Sequence, residues 1–405
     1  MVKFSPPHID QQIIDEVVNA LKSGWITTGP RTKQFEKDLA AYCLAPNVLC
    51  LNSATAGLEI MLRWFGVGPE DEVIVPAYTY CATANVVMHC GAKPVFVDVN
   101  ASDFNINVDA IKKAITPKTK VIMPVDFAGL PCDYEAINKL VKTAEIKSIF
   151  VAKSTEQTKL GRILILSDAA HSFGATYNGK QTGALCDVSV FSFHAVKNLT
   201  TSEGGAVVFN LPEPFNNLEL YNALCIKTLH GQNKDALAKT QKGNWKYDIV
   251  EPGYKCNMTD ISAAIGLVEL ARYNSMILPK RKHICESYAR VLGAYSWAQL
   301  PVLKDNERET SYHLYPLRIK NITEPQRDEI MQKIFDADVS VNVHFIPVPM
   351  TSYYTGIGYN IANYPITYQN FSCEISLPVF IDLTEDEIQI VTQAVINAVK
   401  EVTNQ

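Results

Sequence analysis

The sequence predicts an α/β protein: a large domain built on a largely parallel central sheet, residues 1–275, followed by a smaller α+β domain, residues 276–405. Three observations predict it. Short apolar runs at EVIVP (72–76), PVFVDV (94–99), KVIMPV (120–125), RILILSD (162–168), DVSVFSF (187–193) and GAVVF (205–209) are separated mostly by helix-length connections, the pattern of strands buried on both faces. A chain of 405 residues with 47% hydrophobic content can bury a large core and has room for a second one. Beyond Pro279, the segments YHLYPLRI and VSVNVHFIPV and a final helix with Thr384 and Glu387 in capping-box spacing point to a smaller mixed unit.

Taken in order, Ile9, Ile13, Ile14, Val17, Val18 and Leu21 recur at helical spacing and predict an amphipathic helix that stops near Gly24. A loop with Thr27, Thr28, Gly29 and Pro30 then precedes a second helix carrying Phe35 and Leu39. VLCLNSATAGLEIMLRWFGV reads as a strand that breaks at Asn52 and Ser53 and enters a helix whose apolar face is Leu58, Met61, Leu62 and Phe65. The polar segment 144–161 interrupts the run of core strands and is expected to loop over the surface.

Composition narrows the function. A net charge of −5 provides no overall basic surface for nucleic acid or acidic lipid. The ten cysteines lack metal-type pairing and read as reduced core residues. The N-terminal stretch MVKFSPPHIDQQII does not look like a signal peptide, and no run approaches the apolar length of a membrane span, so a cytoplasmic location is expected.

Chemistry concentrates between Asp168 and Gly205. Asp168 ends an apolar strand, where a carboxylate costs desolvation energy unless a cation or donors meet it. Lys197 follows VSVFSF and precedes the turn TTSEGG, which puts it at the sheet edge where ligands gather. A lysine and an acid so placed suit pyridoxal phosphate. Lys197 could hold the cofactor aldehyde as a Schiff base, and Asp168 could pair with the pyridine nitrogen. His171 could support Asp168 by a hydrogen bond or pack in a loop; His194 could touch the cofactor or steer Lys197. Asn52-Ser53-Ala54-Thr55, at a helix start, is the candidate phosphate cradle against the plainer reading of an N-cap, with Ser192 as a further hydroxyl. Tyr78 and Tyr80 both stand where an aromatic ring could cover the pyridine or fill the core. His171, His194 and Asp168 form no compact metal motif, so no metal is expected.

Several motifs in order, GWITTGPRTKQFE, NSATAGLE, PAYTYCATANVV, SDAAHSFGA, SFHAVKNLTTSEGG, GYKCNMTDISAAIGLVEL, HFIPVP and SLPVF, resemble the DegT/DnrJ/EryC1/StrS sugar aminotransferases over nearly the whole chain. The resemblance implies an aspartate aminotransferase-like fold of type I, pyridoxal 5'-phosphate as cofactor, and a homodimer with active sites at the subunit interface. It assigns the Schiff-base lysine to Lys197, the pyridine-nitrogen acid to Asp168, the stacking ring to Tyr80, and phosphate contacts to Ala54, Thr55 and Ser192. Asn257 is the candidate for the asparagine that a neighbouring subunit adds to the phosphate site, although Lys255 stands where many relatives carry Asn. Thr28, His313 and His344 are candidate substrate contacts.

The reaction so implied is transamination of a nucleotide-linked keto sugar with glutamate as donor. SFHAVKN is closer to relatives acting at sugar C4 on UDP-linked substrates than to the SFYPTK type, so a UDP-linked 4-keto-6-deoxysugar is expected. Alternatives are a 3-keto dTDP-sugar, another ketone, or a non-enzymatic regulator on the same fold. A dehydratase of this fold would carry His in place of Lys197. Three departures stand out: the 144–161 insertion, Phe345 where relatives often have Tyr, and Cys373-Glu374 where many have Arg.

Overall fold

The computed structural model describes residues 1–234 and 246–403. Its centre is a seven-stranded sheet of β1 (Asn47–Leu51), β2 (Glu72–Pro76), β3 (Lys93–Val97), β4 (Thr119–Ile122), β5 (Leu164–Asp168), β8 (Val188–Ser192) and β9 (Gly205–Phe209), in the order β1-β9-β8-β5-β4-β2-β3. β8, β5, β4, β2 and β3 run parallel, while β9 is antiparallel to both of its neighbours. The sequence reading of a largely parallel sheet is therefore met, with one strand reversed. A smaller ribbon, β6 (Thr176–Tyr177) and β7 (Lys180–Gln181), is extended by β11 (Arg308–Glu309) from the C-terminal region.

Period-two alternation places the two sides of the sheet in separate cores. Val73, Val75, Leu164 and Leu166 pack with Leu58 and Met61 of the helix α3 (Ala54–Trp64) and with Phe65 at its C-cap. Ile74, Ile122 and Ile165 pack on the opposite side with Ile137 and Val141 of the helix α6 (Tyr134–Lys142). A third cluster seats Phe35 and Leu39 of α2 (Pro30–Cys43) against Val48, Phe191 and Val208.

The expected surface loop at 144–161 is instead two short helices, α7 (Ala144–Ile149) and α8 (Thr155–Leu160). The local chemistry explains the correction. Thr143 and Ser154 cap the two helix starts, and Gly161 closes the second in the left-handed conformation. Ile146 is buried in the same core as Ile137, and Gln157 Nε2 donates to the Phe65 carbonyl at 2.9 Å. Polar composition here satisfies backbone groups of the large domain rather than solvating a loop.

The first helix, α1 (Gln11–Lys22), starts at its Asp10 cap and ends before Gly24. Its apolar face is only partly covered. Ile13 is buried, but Ile14, Val18 and Leu21, together with the nearby Ile9 and Ile26, are exposed in the single chain.

The C-terminal sheet consists of β10 (Ala298–Gln299), β12 (Tyr315–Ile319) and β13 (Glu374–Leu377), all antiparallel. Its core includes Tyr315, Leu317, Ile375 and Leu377 and is completed by helices over Leu278–Leu292, Glu324–Asp336 and Glu385–Thr403. The last of these is entered through the anticipated box: Thr384 N donates to Glu387 Oε2 and Glu387 N to Thr384 Oγ1. Val2 is buried in this core and bridges Val339, so the N-terminal strand of chain crosses to the C-terminal unit. Among the described residues no single helix is long and apolar enough to cross a membrane. All ten cysteines are free thiols, seven of them buried.

Candidate active site

Parallel strands deliver their carboxyl ends to one edge, and a cavity of about 450 Å³ opens there. Asp168 is the last residue of β5, and Ser192 the last of β8. β8 and β9 are antiparallel, pairing Ser192 with Gly205, so the loop joining them must turn back at the cavity and brings Lys197 with it. That loop is braced by Phe193 N donating to Gly204 O at 2.9 Å and Thr201 N to Phe193 O at 2.8 Å.

Ala54, Thr55, Tyr80, Asp168, His171, Ser192, His194, Lys197, His313 and His344 all line this cavity. Thr28 and Asn257 do not. Asn257 Nδ2 donates to Thr28 Oγ1, which donates in turn to the Met258 carbonyl at 2.6 Å, and Lys255 Nζ donates to Asn257 Oδ1. The two residues thus form one polar group outside the chain's own cavity.

Asp168 is held by neutral donors. Thr83 Oγ1 donates to its Oδ2 at 2.7 Å, the Ala170 amide reaches Oδ1 at 3.3 Å, and Thr79 Oγ1 lies 2.8 Å from Thr83 Oγ1. Burial raises the Asp168 carboxyl above its usual range, against the opposing effect of these donors and of the Lys197 charge. Burial pushes Lys197 the other way, down to about 8, with Asp168 resisting. A buried acid with no fixed cation and a buried amine whose proton is loosened therefore face one space.

His171 does not hydrogen-bond Asp168. Its Nδ1 is buried without a partner among the described residues, and its ring lies 4.4 Å from that of His313 and 5.7 Å from that of Phe345. Of the two roles open to His171, packing is therefore the one observed, and the support for Asp168 comes from Thr83 and Ala170. His194 guides Lys197 through its backbone, accepting the Lys197 amide at 2.9 Å, while its exposed ring sits 3.6 Å from Glu203. His313 Nδ1 is 2.9 Å from Asn198 Oδ1, and Asn198 Nδ2 donates to Ser311 O at 2.7 Å. An acceptor at Nδ1 requires His313 to carry its proton there, leaving Nε2 as an acceptor. Burial holds both His171 and His313 well below the usual histidine range.

The two tyrosines separate. Tyr78 is fully buried between Phe104 and Phe127, with ring centroids at 5.0 and 5.2 Å. Tyr80 is 58% exposed at the cavity mouth, 5.6 Å from the ring of Phe345.

The residues fit pyridoxal phosphate. The first amides of α3, at Ala54 and Thr55, have no acceptor within the helix and face the cavity beside Ser192. A side chain at Gly205 would set its Cβ 2.4 Å from Ala54 N, so only glycine lets β9 begin this close to the cradle. The Asp168 carboxylate lacks a fixed cation and can meet a protonated pyridine nitrogen.

Thr83 was not anticipated from the sequence, although its i,i+4 spacing from Thr79 after a strand end is a usable signal. Phe4, Ser5 and Asn342 also line the cavity, and nothing local in the sequence marks them.

Comparison with known proteins agrees with this geometry. Residues 7–396 match the model of the DegT/DnrJ/EryC1/StrS aminotransferase family. The spore coat polysaccharide biosynthesis protein SpsC of Bacillus subtilis is 35% identical over 98% of this chain and 97% of its own. Spr1654 of Streptococcus pneumoniae, assigned as a sugar aminotransferase, superposes in its PMP form with a TM-score of 0.95 at 44% identity, covering 99% of this chain and 100% of that one. Its PLP form gives 0.94 at 43% identity, with 99% of each chain covered. PseC of Helicobacter pylori, an aminotransferase of pseudoaminic acid biosynthesis, gives 0.86 at 26% identity over 99% of each chain. The chain is a pyridoxal phosphate-dependent aminotransferase with the type I fold, and it belongs to the DegT/DnrJ/EryC1/StrS family.

Proposed function

We propose that this enzyme transfers an amino group from glutamate to a nucleotide-linked keto sugar, a UDP-linked 4-keto-6-deoxysugar, and that it works as a homodimer. The observation that carries the reading is the pairing of Asp168 and Lys197 on one cavity with their proton affinities driven in opposite directions. Pyridoxal phosphate, when bound, supplies an aldehyde carbon that accepts amines and a pyridine ring that takes up electrons.

The chain's own residues do the rest. Lys197 would hold the cofactor aldehyde through Nζ and, as a free amine, would move a proton to and from the substrate carbon. An amine brought down to about 8 is suited to both tasks near neutral pH. Asp168 would keep a proton on the pyridine nitrogen, and Thr83 fixes the carboxylate for that contact. Ala54, Thr55 and Ser192 hold the phosphate end, Tyr80 covers the ring, and His194 helps to form the rim. His313 and His344 form the wall that an incoming sugar meets, and His171 stands with the cofactor contacts.

Two features support the homodimer. The exposed apolar face of Ile9, Ile14, Val18, Leu21 and Ile26 is suited to a second copy, and the Thr28–Asn257 group lies outside the chain's own cavity, free to serve a neighbour's. The sugar assignment rests on the HAVKN motif and on the relatives of polysaccharide and pseudoaminic acid biosynthesis.

The test is a mass-spectrometric screen of UDP-, GDP- and dTDP-linked 3-keto and 4-keto sugars with glutamate, followed by NMR of the product. The expected result is a new amine at C4 of a UDP-linked 6-deoxysugar. Exclusive amination of a dTDP-linked 3-keto sugar, or turnover of free keto acids alone, overturns the substrate assignment.

A further inference from the structure

His344 belongs to the cavity wall, but what lies behind it departs from the family pattern. Its backbone amide donates to Glu374 Oε2 at 3.1 Å, and its Nδ1 lies 3.0 Å from Ser376 Oγ. Ser376 Oγ is in turn 2.5 Å from Glu374 Oε1. These contacts join β13 to the cavity in a single line: Glu374 Oε1, Ser376 Oγ, His344 Nδ1, and then Nε2 as the ring nitrogen left for a ligand. Stacking on Phe4 at 5.5 Å and an edge contact with Phe345 at 5.1 Å hold the ring in place.

The carboxyl of Glu374 is fully buried and makes no ion pair among the described residues. The two guanidiniums nearest to it direct their donors elsewhere. Arg327, from the helix over Glu324–Asp336, bonds Asp328 and the carbonyls of Phe371 and Glu374, while Arg318 of β12 bonds Asn370 and the carbonyls of Ala101 and Ser102. The remaining ionisable neighbours, Tyr78 and Cys373, bring no positive charge. Burial accordingly pushes Glu374 up to about 8 despite both arginines. His344 is depressed to about 4 by burial and by Lys197, so near neutral pH its ring is uncharged and its function depends on which nitrogen bears the proton.

Geometry fixes that choice. Oε2 accepts from the His344 amide, so a neutral Glu374 carries its proton on Oε1 and donates to Ser376; Ser376 donates to His344 Nδ1; and the ring proton sits on Nε2. An ionised Glu374 reverses every bond. Ser376 then donates to Glu374, Nδ1–H donates to Ser376, and Nε2 becomes a bare acceptor. The two states differ by one proton, released from Nε2 as each relay proton shifts one place.

We propose that Glu374 and Ser376 are positioning residues that set the tautomer of His344, so that the ring offers Nε2–H as a hydrogen-bond donor to a substrate oxygen. The effect on turnover rests on the reading of this cavity as the sugar site; the tautomer itself does not. Lys197 titrates in the same range, so a rate profile alone would not separate the two.

The experiment uses the holoenzyme labelled with 15N-histidine, with long-range proton–nitrogen spectra recorded from about pH 6 to 9.5 and the His344 signal assigned by its loss in His344→Gln. Protonation at Nε2 at pH 7, moving to Nδ1 as pH rises through about 8, is expected. Glu374→Gln, whose amide can donate to Ser376 at any pH, should keep Nε2–H throughout. Ser376→Ala should abolish the switch and lower kcat/KM roughly three- to tenfold, the scale of one hydrogen bond. A proton on Nδ1 at pH 7 in the parent enzyme, or an unchanged titration in Glu374→Gln, overturns the proposal. Neither observation depends on the identity of the sugar, so it stands or falls separately from the substrate assignment. If Ser376→Ala does not fold, the parent and Glu374→Gln spectra decide.

Discussion

The two ends of strands β5 and β8 treat a buried aspartate in opposite ways. At their amino ends, Asp187 receives Arg162 Nη2 on one oxygen and Nη1 on the other, both at 2.7 Å, with the Ile165 amide adding a third donor at 3.0 Å. At the carboxyl end, Asp168 is as deeply buried but has only a hydroxyl, a long amide contact and a nearby lysine that is itself inclined to lose its charge. The first acid is satisfied by a bidentate, planar partner and is closed to anything else. The second is left short of positive charge beside a cavity, the arrangement expected where a ligand brings the missing partner. The same residue type at opposite ends of adjacent strands is closed in one place and open to a cavity in the other, and the difference lies in what the protein itself supplies.

Removing the amine from the open end should have the largest effect. Lys197→Ala should abolish the covalent link and lower turnover by at least about 10²–10⁴-fold, the range of a lost proton-transfer group. Borohydride reduction of the parent followed by peptide mapping should locate the cofactor on Lys197; a label on another lysine would contradict the assignment.

Opening the closed end should cost stability rather than chemistry. Arg162→Met strands the Asp187 carboxylate without its cation, and about 3–5 kcal/mol of folding stability should be lost in urea titrations. The double change Arg162→Met, Asp187→Leu should recover much of that loss, because the uncompensated charge rather than the missing pair is the costly element. A single variant as stable as the parent would erase the contrast.

Neutralising the open acid should leave the fold intact. Asp168→Asn keeps the shape of the side chain but cannot retain a proton on the pyridine nitrogen, and the single-turnover rate with glutamate should fall about 100-fold. A rate within about threefold of the parent would mean that another group performs this role.

The smallest effect is on pH dependence. In cofactor-free protein the Lys197 amine is charged below about 8 and neutral above it, so the rate of pyridoxal phosphate capture should rise through that pH and then level off. Asp168 favours the charged amine, so Asp168→Asn should move the midpoint downward. An unchanged midpoint would show that the two groups do not sense one another.

The strands, the helix starting at Ala54, and the acid and lysine of the site were legible because they depend on local order: apolar runs of fixed length, glycine and proline punctuation, and polar residues at strand ends. Asp168 stands out because a carboxylate after ILILS contradicts its surroundings. Lys197 stands out because a turn motif follows it. The segment 144–161 was misread because its caps and its buried Gln157 satisfy groups far away in sequence, so its polarity looks like solvation.

What the sequence could not decide is what crosses between units. Tyr78 and Tyr80 occupy similar sequence surroundings, and only packing sends one into the core and the other to the cavity mouth. His171 and His313 are far apart in the chain yet lie 4.4 Å apart, and Glu374 reaches His344 across 30 residues. By itself the sequence determined the sheet, the cofactor and the acid and lysine that the fold brings to one cavity, because period, punctuation and strand-end chemistry are written within a few neighbouring positions. The tertiary structure alone decided which aspartate is closed by an arginine, which histidines line the cavity and which side chains reach His344, because burial and hydrogen-bond partners depend on residues that only the fold brings together.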